Sequence, residues 1–314
     1  MKKFKIKELT DYKDFKFEVE LEYYYDEIFC DYYVDEELGN NNLRIIRNEY
    51  RRLKNLLLDD DIKNIRNQYN LSQRDFAIAL GLGEVTITRY ESKTVQDKSQ
   101  DKIIRESKEP EKFLMYLIDN KEKFIQVNGE SKYKSLITHI NSMINNIEYK
   151  MNRNSVEDRG NQTFKLSKLK SVVNCIAKYK DKITKTYLAK ILWYIDQLSF
   201  KVNNKSLTGL VYIHMPFGAY PKMYEEILLE KDFTIIDSWK YDYECYYIVC
   251  ERCDDLLTSD EKKIIEYIMK CFSNYSVKDI VNYMHNEKAY IETKFLDVIP
   301  YDYAKDITLF NDYK

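Results

Sequence analysis

Between Leu71 and Glu91 the chain reads LSQRDFAIALGLGEVTITRYE, two short helical patterns hinged on Gly-Leu-Gly. No other stretch restricts the fold as tightly. Ser72 stands where a helix N-cap belongs, and Asp75 follows three residues later, a capping-box-like start. Phe76, Ala77 and Leu80 share one face, and Ala77 is small enough for a second helix to cross closely. Gly81 and Gly83 suit a tight turn because glycine accepts positive φ. A second helix begins near Glu84. On the helical period Ile87 and Tyr90 point inward, while Val85, Thr88, Arg89 and Ser92 point outward. A helix-turn-helix needs this arrangement, with the second helix presented to a major groove. There an exposed Arg pairs with guanine and a Val packs on a thymine methyl. A plain helical hairpin in an α domain gives the same periodicity; the turn length, the cap and the outward arginine favour the helix-turn-helix.

Such a segment sits oddly in a chain whose net charge is −2. The average conceals two signs. Residues 1–40 hold twelve acidic and six basic side chains, whereas LRIIRNEYRRLK (43–54) sets five basic residues against one Glu. Within the acidic part, FKFEVELEY (15–23) alternates strictly, with Phe15, Val19, Leu21 and Tyr23 on one face of a half-buried strand. Tyr24 to Tyr33 supplies a second strand. The basic part repeats Leu43, Ile46, Tyr50 and Leu53 at helical spacing.

The 314 residues contain only 7 Gly and 4 Pro, which favours long helices over a loop-rich β fold. Residues 98–108 and 111–120 are helical in pattern and break at Pro110. Tyr133, Leu136, Ile137, Ile140, Ile144 and Ile147 form an amphipathic helix. MNRNSVEDRGNQ (151–162) has little to bury and marks the main domain boundary. Beyond it, 164–202 reads as two helices split near Asp181–Thr184, PFGAYP (216–221) as a rigid turn, and 232–252 as a strand pair. Ser259 and Ser276 read as N-caps of two closing helices.

Two resemblances cover most of the chain. NNLRIIRNEYRRLKNLL followed by IKNIRNQYNLSQRDFAIALGLGEVTITRYES resembles the MqsA-type helix-turn-helix antitoxins, in which a zinc module precedes a Cro-like DNA-binding domain. The resemblance puts Val85 and Arg89 at base-reading positions. Gln73 and Arg74, at the start of the preceding helix, would face phosphates. Thr86, Thr88, Ser92 and Lys93 complete the expected DNA-binding set. From about 165 to 309, KLKSVVNCIAKY, YLAKILWYIDQLSFKVNNKSLTGLVYIHMPFGAYP and LTSDEKKIIEYIMKCFSNYSVKDIVNYMHNEKAYIETK resemble the Panacea (SocA-type) antitoxin domain. That family places an Asp-bearing helix before a Gly-Pro-type loop, matched by Asp196 and by Gly218 to Pro221. The resemblance implies a domain that binds and inactivates a toxin, often one encoded beside it.

Metal and catalytic chemistry find little support. A zinc ribbon needs four ligands, and residues 1–60 offer only Cys30. Cys250-Glu-Arg-Cys253 lies in an expected strand, where i and i+3 project to opposite faces. His139, His214 and His285 match no metal-ligand spacing, and no nucleophile-elbow or phosphate-cradling motif occurs. Asp59-Asp60-Asp61 suits a helix start, where acidic charge complements the dipole. No second polar group accompanies Asp196 to make it a general base. No apolar run reaches the roughly 18 residues of a membrane span. Six irregularly spaced cysteines give no disulfide framework.

The expectation is a mainly α (α+β) cytoplasmic protein that is not an enzyme and needs no cofactor or metal. Its parts are an acidic, metal-free, degenerate zinc-ribbon-like β module (1–42), a helix-turn-helix domain (43–120), a linker helix and hinge (121–162) and a Panacea-like domain (163–314). Its partners would be operator DNA, bound as a homodimer, and a cognate toxin, met through Trp193, Asp196, Phe217 and Tyr220. Of these, Trp193 and Phe217 fit a core role better, and Tyr220 an exposed one. The alternative is a phage or mobile-element regulator whose C-terminal domain binds another partner, such as a proteolytic adaptor.

Overall fold

A computed structural model of the chain describes residues 2–180, 183–230, 233–240, 243–250 and 255–313. It is mainly helical with small sheets, and it divides into two compact units, Met1–Ile144 and Asn145–Lys314. No helix among the described residues is long and apolar enough to cross a membrane.

The first unit opens with an antiparallel sheet of β1 (Lys3–Tyr12), β2 (Phe15–Asp26) and β3 (Asp31–Tyr33) in that order. β1 and β2 pair from Lys3↔Tyr24 to Tyr12↔Phe15 across a two-residue turn, with Lys13 at φ 55°. β1 was not expected, although its Lys–apolar alternation carries the same period-two signal as β2. Phe17, Val19 and Leu21 project from the buried face of β2, in the β period. They form a core with Tyr50 of α1 (Glu36–Leu53) and with Val95.

That shared core changes the expected boundaries. A division at residue 42 would fall inside α1, which Asp35 caps by accepting from the Leu38 N–H. The helices α2 (Asp59–Asn67), α3 (Gln73–Ala79), α4 (Thr86–Ser92), α5 (Lys98–Glu106) and α6 (Pro110–Asp119) follow. α7 (Lys121–Asn128) and α8 (Glu130–Ile144), expected to be a linker, belong to the same body. Their Phe124, Leu136 and Ile140 are buried in one cluster with Phe76, Ile87 and Phe113, because the apolar stripe read from the sequence needs a partner surface and finds it here.

The second unit starts with α9 (Ile147–Asn152) and α10 (Leu166–Ala177), so the division between units precedes the expected hinge. The 151–162 stretch is packed within the second unit. Met151 is fully buried, and the buried Arg159 donates to the Asn152 side chain and the Gln162 carbonyl. Polar side chains satisfy this backbone, which a reading of hydrophobicity alone does not register.

The centre of the unit is α11 (Lys185–Asn203), capped by Thr184 and buried continuously from Tyr187 to Ser199. Around it lie the hairpin of β4 (Tyr212–Met215) and β5 (Gly218–Pro221), α12 (Tyr224–Leu228), the antiparallel pair β6 (Phe233–Lys240) and β7 (Tyr243–Cys250), α13 (Ser259–Cys271), α14 (Val277–His285) and α15 (Lys288–Glu292). Two 3-10 turns, Tyr301–Asp306 and Thr308–Phe310, close the chain. Thr258 rather than Ser259 caps α13, and Ser276 caps α14 as expected.

Asp196, on α11, has no exposed surface and accepts four hydrogen bonds: from the Leu207 and Thr208 N–H groups at 2.9 and 2.8 Å, from the Thr208 hydroxyl, and from the Tyr212 hydroxyl at 2.7 Å. Burial pushes its carboxyl up to about 6, against the pull of these donors. The loop they come from also needs Gly209, at φ +78°, whose added Cβ would stand 2.7 Å from the Phe164 nitrogen. Asp196→Ala should strand these donors. Each costs about 1–3 kcal/mol unpaired, so the second unit should lose at least ~3 kcal/mol in urea unfolding; an unchanged midpoint would contradict the role assigned to Asp196.

Lys190, one turn and a half earlier on α11, is 1% exposed, and burial pushes its ammonium down to about 7 from an ordinary 10.5. Between those values the unfolded chain binds the extra proton, so this group makes stability rise with pH. Lys190→Met should therefore gain most relative to wild type at pH 7 and below, with the gap closing toward pH 10.5. Urea midpoints measured across that window check it, and a pH-independent difference would refute it.

Candidate DNA-reading face and partner-facing hairpin

Ser72 caps α3 by accepting from the Asp75 N–H at 3.1 Å, and its hydroxyl donates back to the Asp75 carboxylate at 2.6 Å. Asp75 also receives Lys132 at 2.7 Å. The turn closes through Gly81 N–H to Ile78 O and Leu82 N–H to Ala77 O. Gly81 sits at φ +72°, and a Cβ there would stand 2.8 Å from the Asn120 side chain. Ala77, Ala79 and Ile87 are fully buried between the helices.

α4 begins at Thr86, with Val85 as its N-cap, two residues later than expected. Val85, Thr88, Arg89, Ser92 and Lys93 are exposed and Thr86 is half-buried, so the outward face is the one read from the periodicity. Gln73 and Arg74 stand at the start of α3 as expected, but each is already engaged. Arg74 pairs with Glu84 at 2.8 Å. Gln73 donates to Glu91 at 2.7 Å and accepts from the Thr88 hydroxyl at 2.9 Å, while Arg66 grips the same Glu91 with two hydrogen bonds. Arg89 and Lys93 have no acidic partner among the described residues, and they leave the open positive charge of this face.

The sequence reading missed Arg51. Its guanidinium, 1% exposed, donates to the carbonyls of Tyr90 (2.5 Å) and Thr94 (2.9 Å) and to the Asn48 and Gln96 side chains. A cation thus closes the C-terminal end of α4, where the helix dipole favours one. The rest of the basic run on α1 is largely spent on neighbours: Arg44 pairs with Asp59 and Asp60, Arg52 with Glu49, and Lys54 with Asp14.

In the second unit the expected partner-facing residues separate. PFGAYP is the corner of the β4–β5 hairpin, where Met215 pairs Gly218 across the two-residue loop Pro216-Phe217. Phe217 is 69% exposed, not core as its side chain suggested, because a two-residue loop leaves nothing above it to pack against. Trp193 is buried, as a central helix requires. Asp196 cannot pair with a partner's basic residue, because its oxygens are sealed inside and fully engaged. Tyr220, expected to be exposed, is half-buried: it packs on the core, meets Tyr224 edge-on and donates to Glu225 at 2.7 Å.

The hairpin is held from beneath. Lys190 donates to Ala219 O at 2.7 Å, and the Ala219 N–H meets Met284 Sδ at 3.1 Å. Gly218, at φ +98°, has Met284 Sδ 2.6 Å from where a Cβ would stand. Tyr290 donates to Met215 O at 3.1 Å, and its ring lies 3.8 Å from that of His214. His214 exchanges backbone hydrogen bonds with Leu296 and Asp297. That segment adds the exposed Phe295 and Leu296 beside the hairpin.

Among the described residues no three His, Cys, Asp or Glu side chains gather as a metal group. Cys30 is exposed in the turn between β2 and β3. Cys253 lies outside the described residues, so the Cys250–Cys253 pair has no structural account.

No curated protein and no solved structure matches the chain. Two family profiles do: a helix-turn-helix over residues 62–105 and the antitoxin SocA-like, Panacea domain over residues 188–290. The first spans α2 to the greater part of α5, and the second runs from α11 through the β4–β5 hairpin into α15. The chain thus joins a helix-turn-helix domain to a SocA-like Panacea antitoxin domain.

Proposed function

We propose that this protein is an antitoxin that binds and neutralises a protein toxin encoded beside it, and that it represses their shared operon in the manner of MqsA-type regulators. The observation that carries this reading is the union, in one chain, of an antitoxin-type domain with a helix-turn-helix whose outward face keeps Arg89 and Lys93 without an acidic partner among the described residues. Both activities are binding, and neither calls for a catalytic group. A homodimer would set two such faces on a pseudo-palindromic site upstream of the gene.

For the toxin, the hairpin corner replaces the buried residues as the proposed contact. Tight interfaces rest on a few aromatic anchors ringed by polar groups. Phe217, Phe295 and Leu296 offer apolar side chains on a support that is already rigid, which lowers the ordering cost of binding.

Two outcomes are expected. Arg89→Ala should weaken binding to the upstream region by about 1–3 kcal/mol and relax preference at one base step, read by mobility shift against altered duplexes. Equal binding by wild type and variant would sink the DNA assignment. When the full chain is co-expressed with the neighbouring open reading frame, wild type should rescue growth and Phe217→Ala should rescue poorly at an unchanged soluble level and melting temperature. Undiminished rescue by Phe217→Ala together with Phe295→Ala would move the toxin surface elsewhere.

A further inference from the structure

We infer that the DNA-binding surface extends beyond the helix-turn-helix onto α1, where a polar groove beside the end of the recognition helix takes the phosphate backbone of duplex DNA. This rests on the DNA-binding reading above and goes beyond it, because α1 lies outside the matched residues 62–105.

The groove encloses about 630 Å³ and is lined by Asn40, Asn41, Leu43, Arg44 and Arg47 from α1, facing Glu91, Ser92 and Lys93. It is therefore continuous with the exposed face of α4, because Ser92 and Lys93 belong to both. Arg47 reaches across and donates to Lys93 O at 3.3 Å, which ties its guanidinium to the backbone at the end of α4. The one acidic side chain among the groove's lining residues, Glu91, is already answered. Glu91 is held by Arg66 and Gln73, and Arg44 is shared by Asp59 and Asp60. Arg47 and Lys93 then present two positive charges with no carboxylate partner among the described residues, flanked by the amide side chains of Asn40 and Asn41.

Charge, donors and position all suit a polyanion. Contacts of such side chains with phosphates carry no base code, and they fix the register of a protein on the duplex while the recognition helix reads sequence. An acidic protein segment would meet the same charges, but it would not place them on the face that α4 turns toward a groove. The phosphate assignment also explains why α1 keeps a half-exposed Arg47 where its other basic residues are spent on internal pairs.

Full-length protein tested on two duplexes, one from the region upstream of its own gene and one of scrambled sequence, decides the matter. Affinity measured across a salt series gives a slope of about −0.9 per phosphate neutralised, so Arg47→Gln should flatten the slope by roughly one on both duplexes. The preference for the upstream duplex should stay as in wild type. Leu43→Glu, at an exposed site, should weaken both duplexes alike by adding a negative charge to the groove. Unchanged slopes in Arg47→Gln, with wild type binding normally, would overturn the inference alone. So would a lost preference at constant slope, which would make the groove a base reader. Wild type that binds neither duplex would remove the DNA reading, and the inference with it.

Discussion

A charge can be buried only where donors or acceptors replace the water it leaves, and each unit of this protein is assembled around one such replacement. In the second unit it is Asp196. Its carboxylate gathers the 206–212 segment onto α11, and Ser206 and Tyr301 extend the same set of bonds to Arg159 O and Leu210 O. In the first unit it is Arg51, which draws Tyr90, Thr94 and Gln96 onto α1. Both groups sit on long helices that carry an apolar face as well. The hydrophobic contacts bring the elements together, and the buried charge fixes the way they meet.

The helix-turn-helix was legible because all its signals are local. The Ser72 cap, the glycine turn and the period that turns Arg89 outward act within twenty residues, and the structure keeps each of them. The alternation of β2 was legible for the same reason. What failed was long-range. Nothing near Asp196 announces that a loop eleven or more residues later will close over it, so a carboxylate on an apolar helix looked like a site when it is a fastening. Phe217 failed in the opposite direction, since its exposure comes from the length of a loop and not from its own chemistry. The hinge expected at 151–162 failed because Arg159 and Asn152 do with hydrogen bonds what apolar residues do elsewhere.

Charge told a similar story of sign and position. The sequence divides into an acidic start and a basic helix, and that contrast suggested a basic face. In the fold, α1 largely spends its arginines on Asp59, Asp60, Glu49 and backbone carbonyls. Around the end of α4, Arg47, Arg89 and Lys93 remain without a carboxylate partner among the described residues. Net charge was therefore a poor guide to where open positive charge sits in this chain, and the pairing of individual residues was a better one.

Arg51 also bears on how portable the DNA-reading element is. The matched helix-turn-helix starts at residue 62, yet the last turn of its recognition helix is tied off by a side chain that lies upstream of that boundary, on a helix held in turn by the N-terminal sheet. The element is not a self-sufficient cassette. Cut at its family limits, it would lose the cation on its terminal carbonyls and one wall of its core. Moving the reading head onto another protein would have to carry α1 and the sheet along, so the acidic strands and the recognition helix form one structural piece.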